Sequence, residues 1–319
     1  MFATFVLAVL QIGQPMPDQQ PYEVSVGDAL ARISCPPDYQ AFVFATGLSS
    51  PDGMCFGPKG ALYVVEETLG QVTQITQAGD HIPLAKSLRS PEGIDFGASG
   101  VFYVTEDLAD GRLLSITPKG EVTVLLEGLD APEGVIQVGN KLFFTESSAQ
   151  LSKDTLKFKS RLSFLAKKNE AWGQPKVCLE VSSLLSFSEI VSDGECGIIL
   201  ANESAGGFLR KSLLRFNLQT TKLTSFSHGL DAPEGLAMTR GESGPFPLWV
   251  AEEEVARKGR GRITQVDSNG KATLFATGFY LIEDVLVASD GTVYVSEDST
   301  GLIIAMRRRP QNSKDVEVR

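Results

Sequence analysis

Histidine is nearly absent from this 319-residue chain, which has only His81 and His228. His81 falls in the turn-like GDHIP, and His228 in a linker before Gly229-Leu230, so a Ser–His–Asp triad has no evident base. Cysteine is sparse too. Cys35, Cys55, Cys178 and Cys196 match no zinc-binding spacing and are read as buried free thiols, with their pairing left open. Neither Gly-x-Ser-x-Gly nor a phosphate-cradling glycine loop occurs. Long apolar runs are missing: no stretch approaches the ~18 residues of a membrane span. Positive charge is in deficit, with 29 Lys and Arg against 39 Asp and Glu for a net charge of −10. With no basic stripe to offset that balance, nucleic acid is excluded as a partner.

Apolar residues 2–10, FATFVLAVL, precede the polar QIGQPMPDQQ. They have the character of a short secretory h-region, but no Lys or Arg stands before them. Residues 1–20 are therefore read as either a signal peptide or part of an arm. Localisation stays open between secreted or periplasmic and cytoplasmic. The arm runs to residue 39, and Pro15, Pro17, Pro21, Pro36 and Pro37 forbid long regular structure in it.

What the chain has in place of these features is repetition. SPEGIDFGASGVFYVTE (Ser90–Glu106) recurs as SPDGMCFGPKGALYVVE (Ser50–Glu66), APEGVIQVGNKLFFTE (Ala131–Glu146), SEIVSDGECGIILANE (Ser188–Glu203), APEGLAMTRGESGPFPLWVAE (Ala232–Glu252) and IEDVLVASDGTVYVSE (Ile282–Glu297). Each copy opens on an acid: Asp52, Glu92, Glu133, Glu189, Glu234 and Glu283. Each closes on a glutamate: Glu66, Glu106, Glu146, Glu203, Glu252 and Glu297. In four copies the two acids lie 14 apart with a glycine 8 after the first.

Between the acids lie short β-branched and aromatic runs punctuated by Gly, Pro and Asp, about four strands to a unit, with no long helical period. A period of 40–56 residues repeated six times implies an all-β six-bladed propeller. The last unit is one strand short. Gln40–Leu48 (QAFVFATGL) matches Lys271–Phe279 (KATLFATGF) and is expected to complete that blade, closing the ring. The propeller is assigned residues 40–307, and the remainder from 308 is read as a frayed tail. A long stretch at Ser147–Ser160 and the basic Val255–Arg262 are expected as loops on the acid rim, the first a candidate lid.

The first strand of a blade is innermost, so the six opening acids should converge on the axis. Two carboxylates ~5 Å apart repel by roughly 3 kcal/mol at an effective dielectric of ~20. Such a ring must be partly protonated or hold a cation. Oxygen donors without His or Cys suit Ca²⁺, and less well Mg²⁺ or Mn²⁺. The closing glutamates have a plainer role available, accepting bonds from backbone N–H groups of the next blade.

Pro-Glu-Gly or Pro-Asp-Gly opening a blade, with an acid closing its second strand, resembles the six-bladed propellers of the senescence-marker/gluconolactonase group. Their relatives are the paraoxonases, the squid-type organophosphatase and strictosidine synthase. The resemblance covers roughly Gln40–Arg307. It implies a divalent cation, Ca²⁺ or another, in the channel, held from the position before the glycine of strand one: Asp52, Glu92, Glu133 and Glu234. Glu189 and Glu283 match by register only, since Ile190 and Asp284 replace the glycine. The family mixes Asn into this set, whereas no Asn stands at these six positions here.

The expected activity is a metal-dependent lactonase or esterase acting on a small molecule, with Glu283 or Glu133 as general base. The alternative is a metal-free, strictosidine synthase-like enzyme using Glu283 as acid and base on a cationic substrate. A non-enzymatic ligand-binding propeller is the third reading. A monomer is expected.

Overall fold

The computed structural model of the chain describes residues 25–152, 155–169, 171–203, 213–238, 246–253 and 261–310. The 1–20 segment, the 311–319 end and all of the Val255–Arg262 loop except Gly261 and Arg262 lie outside them. Strand β1 (Tyr39–Ala45) comes first, followed by blade one: β2 (Pro51–Phe56), β3 (Leu62–Glu66), β4 (Gln71–Ile75) and β5 (His81–Lys86). Blade two holds β6 (Pro91–Phe96), β7 (Phe102–Glu106), β8 (Gly111–Ile116) and β9 (Val122–Leu129). Blade three holds β10 (Val135–Val138), β11 (Lys141–Ser152), β12 (Thr155–Lys168), the short β13 (Ala171–Trp172) and β14 (Lys176–Ser183). Blade four holds β15 (Phe187–Ser192), β16 (Gly197–Asn202), β17 (Leu213–Asn217) and β18 (Leu223–Ser227). Blade five holds β19 (Pro233–Met238), β20 (Leu248–Glu252), β21 (Gly261–Val266) and β22 (Ala272–Phe279). Blade six holds β23 (Ile282–Val287), β24 (Val293–Glu297) and β25 (Leu302–Arg308).

Every blade is an antiparallel meander, and the first strand of each abuts the first strands of both neighbours, β23 against β2 included. The six-bladed propeller is thus complete, and its last sheet runs β1-β25-β24-β23. Strand β1 pairs antiparallel with β25 from Tyr39↔Arg308 to Ala45↔Ile303, which is the ring closure expected from the QAFVFATGL match. The pairing also takes in Arg307 and Arg308, and Arg309 N–H donates to Asp38 O at 2.7 Å, so the tail begins later than the sequence suggests.

One apolar cluster fills each blade interface. Phe102, Val104 and Tyr63 lie between blades one and two, and Phe143, Phe187 and Phe216 between blades three and four. Between blades five and six, Trp249, Ile263 and Ile304 are joined by Ala29 from the arm. That alanine sits on α1 (Val26–Ala31), capped by Ser25, whose hydroxyl accepts from Asp28 N–H at 3.1 Å. Burial of each large side chain stabilises by roughly 1.5–3 kcal/mol, which makes the interfaces the main cohesive element.

Inner strands approach closely because glycine opens most of them. A Cβ on Gly93 would stand 2.3 Å from Glu133 O of the next blade, and one on Gly53 would stand 2.5 Å from Glu92 O. Thr105 Oγ1 accepts from Gly93 N–H at 2.9 Å and donates to that same Glu133 carbonyl. Thr145 repeats the device, accepting from Gly134 N–H and donating to Ser188 O, each at 2.8 Å. Gly93→Ala is therefore expected to cost about 1–3 kcal/mol by overpacking. Urea unfolding checks this, and an unchanged midpoint would refute the close-approach account.

Candidate metal centre

Opening acids Asp52, Glu92, Glu133, Glu234 and Glu283 converge on the channel axis and enclose a space of about 20 Å³. That is room for one ion or water and no more. Each sits one residue after the strand-one position that pairs with the end of strand two, as in Pro51↔Glu66, Pro91↔Glu106 and Ile282↔Glu297.

Blade four departs from the expected register. Phe187 pairs with Asn202, and Ile190 pairs with Leu200 as Met54 does with Val64. Ser188 therefore occupies the ring position. Glu189 occupies the position of Gly53 and Gly93, one layer deeper, where blade six carries Asp284. Asp284 accepts from Met54 N–H and Val285 N–H, both at 2.7 Å, and Glu189 accepts from Ile190 N–H at 2.8 Å.

Correcting the register moves the closing position of blade four to Asn202 and frees Glu203. The residues that follow the closing position are then Glu67, Asp107, Ser147, Glu203, Glu253 and Asp298. They supply a second tier of five acids beside the first. This tier is absent from the sequence-based expectation, although Glu66-Glu67, Glu106-Asp107, Glu252-Glu253 and Glu297-Asp298 repeat an adjacent acid pair that signals it.

The closing residues themselves are structural. Their side chains accept a backbone N–H not from the next blade, as expected, but from the linker leading into their own, because the start of strand one lies beside the end of strand two: Ser49 to Glu66 at 2.9 Å, Arg89 to Glu106 at 2.8 Å, Asp130 to Glu146 at 3.1 Å. Ser186 to Asn202 at 2.9 Å, Asp231 to Glu252 at 2.6 Å and Tyr280 to Glu297 at 2.8 Å complete the set. Most also hold a cation. Arg112 pairs with Glu106, Arg161 with Glu146 at 3.6 Å and Arg262 with Glu252 at 2.7 Å. Burial alone would raise the Glu106 carboxyl, but the hydrogen bonds of Arg112 and Arg89 hold it below its ordinary range.

In the two inner tiers the balance runs the other way. Burial first, then neighbouring carboxylates, push Asp52, Glu92, Glu133, Glu234 and Glu283 well above the carboxylate range. The same causes lift Asp107 and Glu253 to about 7 and raise Glu67, while burial alone raises Asp298 against a hydrogen bond from Ser50. Glu189 rises through burial and then the charge of Asp284.

Among the described residues, oxygen atoms of Glu133, Glu203 and Glu234 all lie within 4.8 Å of one another. Glu133 Oε2 and Glu203 Oε1 are buried with no hydrogen-bond partner. Facing carboxylates offer each other no donor when ionised, so a cation or a shared proton must satisfy them. The donor set fits a hard divalent cation. Two of the three, Glu133 and Glu234, come from the six expected positions, and Glu203 from the second tier.

Other expected features stand elsewhere. His81 and His228 are exposed and away from the ring, and the four cysteines are free. The expected Ser147–Ser160 loop is instead a β-hairpin in which β11 and β12 stay paired out to Ser152↔Thr155, extending beyond the acid rim. Arg262 pairs with neighbouring acids, Asp231 at 3.3 Å besides Glu252.

No family model matches the chain, and no curated protein matches it. Solved structures share its fold. A gluconolactonase from Xanthomonas campestris superposes with a TM-score of 0.66 at 11% identity, covering 86% of this chain and 91% of that one. A virginiamycin B lyase from Staphylococcus aureus gives 0.57 at 14% identity, covering 87% and 100%. An auxiliary nutrient binding protein from Bacteroides ovatus gives 0.63 at 11% identity, covering 85% and 77%.

Proposed function

We propose that this protein is a small-molecule hydrolase of the lactonase or esterase type whose acid ring holds one divalent cation, Ca²⁺ by its donor chemistry. The observation that carries the reading is the convergence of Glu133, Glu203 and Glu234 within 4.8 Å, with two buried carboxylate oxygens left unpartnered. The ion-sized space beside them supports it, as does the sharing of the fold with a gluconolactonase.

Those three side chains would hold the cation. A bound divalent cation polarises an ester or lactone carbonyl as a Lewis acid. Glu283 lies outside the trio; burial first, then the charges of Glu253 and Asp298, raise its carboxyl, and in its ionised form it is the group that would take a proton from water. Glu133, as a candidate ligand, is the weaker choice of base. A narrow ring excludes the substrate itself from the axis, so the substrate would meet the cation from the face bearing Glu67, Asp107 and Asp298.

Elemental analysis of protein purified without chelator, with thermal melts in EDTA and in Ca²⁺, tests the reading. One divalent ion per chain and a melt lowered by EDTA are expected. Glu203→Gln should weaken Ca²⁺ binding by about tenfold or more, whereas Glu252→Gln, outside the inner tiers, should lower stability and leave the affinity unchanged. Hydrolysis of aliphatic lactones or aryl esters should then depend on Ca²⁺. Absence of metal and of any response to Ca²⁺ would overturn the proposal and shift attention to Glu283 as acid and base on an organic cation.

A further inference from the structure

Below the acid ring the channel widens into a cavity of about 630 Å³ that opens at the opposite mouth. We propose that this cavity is a second ligand site, taking an apolar molecule that carries one ammonium group. The proposal stands independently of the metal reading, because the two spaces are separate compartments. The ring leaves about 20 Å³, too little for an organic molecule, and the spaces meet only at the layer of Glu189 and Asp284, which line both.

Size, lining and charge carry the argument. The volume falls within the ~300–1,000 Å³ of small-molecule sites, which are mostly apolar with a few convergent polar groups. Phe56, Phe96, Ile136, Met238, Leu286 and Val287 contribute to the lining. The charged side chains among the described lining residues are all acids: Asp95, Glu189 and Asp284. With no basic side chain there, an anionic ligand finds no counter-charge, whereas an ammonium group can pair with a carboxylate.

The three acids are not equivalent. Asp284 is engaged by two backbone N–H groups, and Asp95 accepts Gln137 N–H at 2.8 Å, tying blade two to blade three. Glu189 accepts one hydrogen bond, from the amide next to it in sequence. It stands where four of the six blades have glycine, so its side chain reaches the neck of the cavity at the closest approach of the inner strands. An ammonium group placed there would pair with Glu189 while its apolar body lies against the walls, and the pair would be shielded from bulk water.

Calorimetric titration with 3-phenylpropylammonium and its neutral counterpart 3-phenylpropan-1-ol, in Ca²⁺ and again in EDTA, tests this on the full chain. The ammonium compound is expected to bind about tenfold or more tighter than the alcohol under both conditions. Glu189→Gln should remove that preference and leave alcohol binding unchanged, while Glu234→Gln in the ring should retain it. Met238→Trp, which fills the cavity without touching a carboxylate, should abolish binding of both compounds and serves if Glu189→Gln folds poorly. Equal affinity for the two probes, no binding of either, or a preference that survives both Glu189→Gln and Met238→Trp would overturn the proposal. So would competition with Ca²⁺ together with loss in Glu234→Gln, because that pattern puts the ammonium at the ring.

Discussion

Glu297→Ala is expected to lower the melting temperature by roughly 10 °C, from a loss of about 3–5 kcal/mol for a broken buried pair at ~2–4 °C per kcal/mol. Glu297 is 0% exposed and accepts from Tyr280 N–H and Thr300 Oγ1, besides both terminal nitrogens of Arg32 at 2.6 and 2.7 Å. The arginine comes from the N-terminal arm, 265 residues away, and lies 4.1 Å over the Tyr280 ring. In blades two and five the equivalent glutamate takes its arginine from the third strand of the same blade, Arg112 or Arg262. In blade six that position is Leu302, which faces Glu297 across the sheet. The arm supplies the missing charge and thereby pins itself to the last blade. Removing the carboxylate strands the guanidinium, the tyrosine amide and the threonine hydroxyl together. Arg308→Ala is the control: its side chain is 72% exposed and 4.0 Å from Asp38, and solvent screening leaves such a surface pair with little effect on stability. Equal melting temperatures for the two variants would sink the idea of a clamp at the closure.

In chelator, raising the pH from 5.5 to 8 is expected to destabilise the protein, and Ca²⁺ to restore stability at pH 8 far more than at pH 5.5. Asp107, Glu253 and Asp284 are lifted to about 7, and the ring acids are raised as well, by burial first and then by their neighbours' charge. In the unfolded chain these groups lose their protons near pH 4. Between that value and their folded pKa the native state holds protons that the unfolded chain has released, so stability is full below pH 4 and falls as pH rises through 7. A single group titrating near 7 contributes about 2 kcal/mol of loss over this range. A cation bound by the ionised carboxylates competes with the protons, and at a hundredfold excess over Kd it returns about 2.7 kcal/mol. Melting temperatures that climb with pH in EDTA would contradict the raised values.

Much of this architecture is legible in the sequence. Pro-Asp-Gly or Pro-Glu-Gly fixes the start of the inner strand in four blades, because the glycine is required where the strands nearly touch. Gln40–Leu48 betrays ring closure by matching a fourth strand that has no third strand before it. Blade four misleads for a physical reason. Phe187-Ser188 replaces the Pro-acid pair, while Glu189 and Glu203 both lie one residue late and so keep the spacing of 14. Spacing is blind to a shift shared by both ends. Only the cross-strand partner, Phe187 against Asn202, reveals it. Asn202 satisfies the same linker amide without charge, and in this blade Arg215 turns to Asp193 at the other rim. The second tier is hidden in the sequence because its acids directly follow the closing glutamates and so repeat at the same spacing.

The pairing of β1 with β25 also bears on how the chain is made. Strand β1 leaves the ribosome about 260 residues before its partner is complete, a delay on the order of tens of seconds at ~5–20 residues per second. Blades one to five can form from neighbouring segments in the meantime. The nascent chain therefore carries an unpaired strand edge, Tyr39–Ala45, through nearly the whole of its synthesis. Such an edge is open to pairing with a copy of itself on an adjacent ribosome. Chaperone demand during translation should accordingly track residues 39–45 more closely than any part of the finished ring.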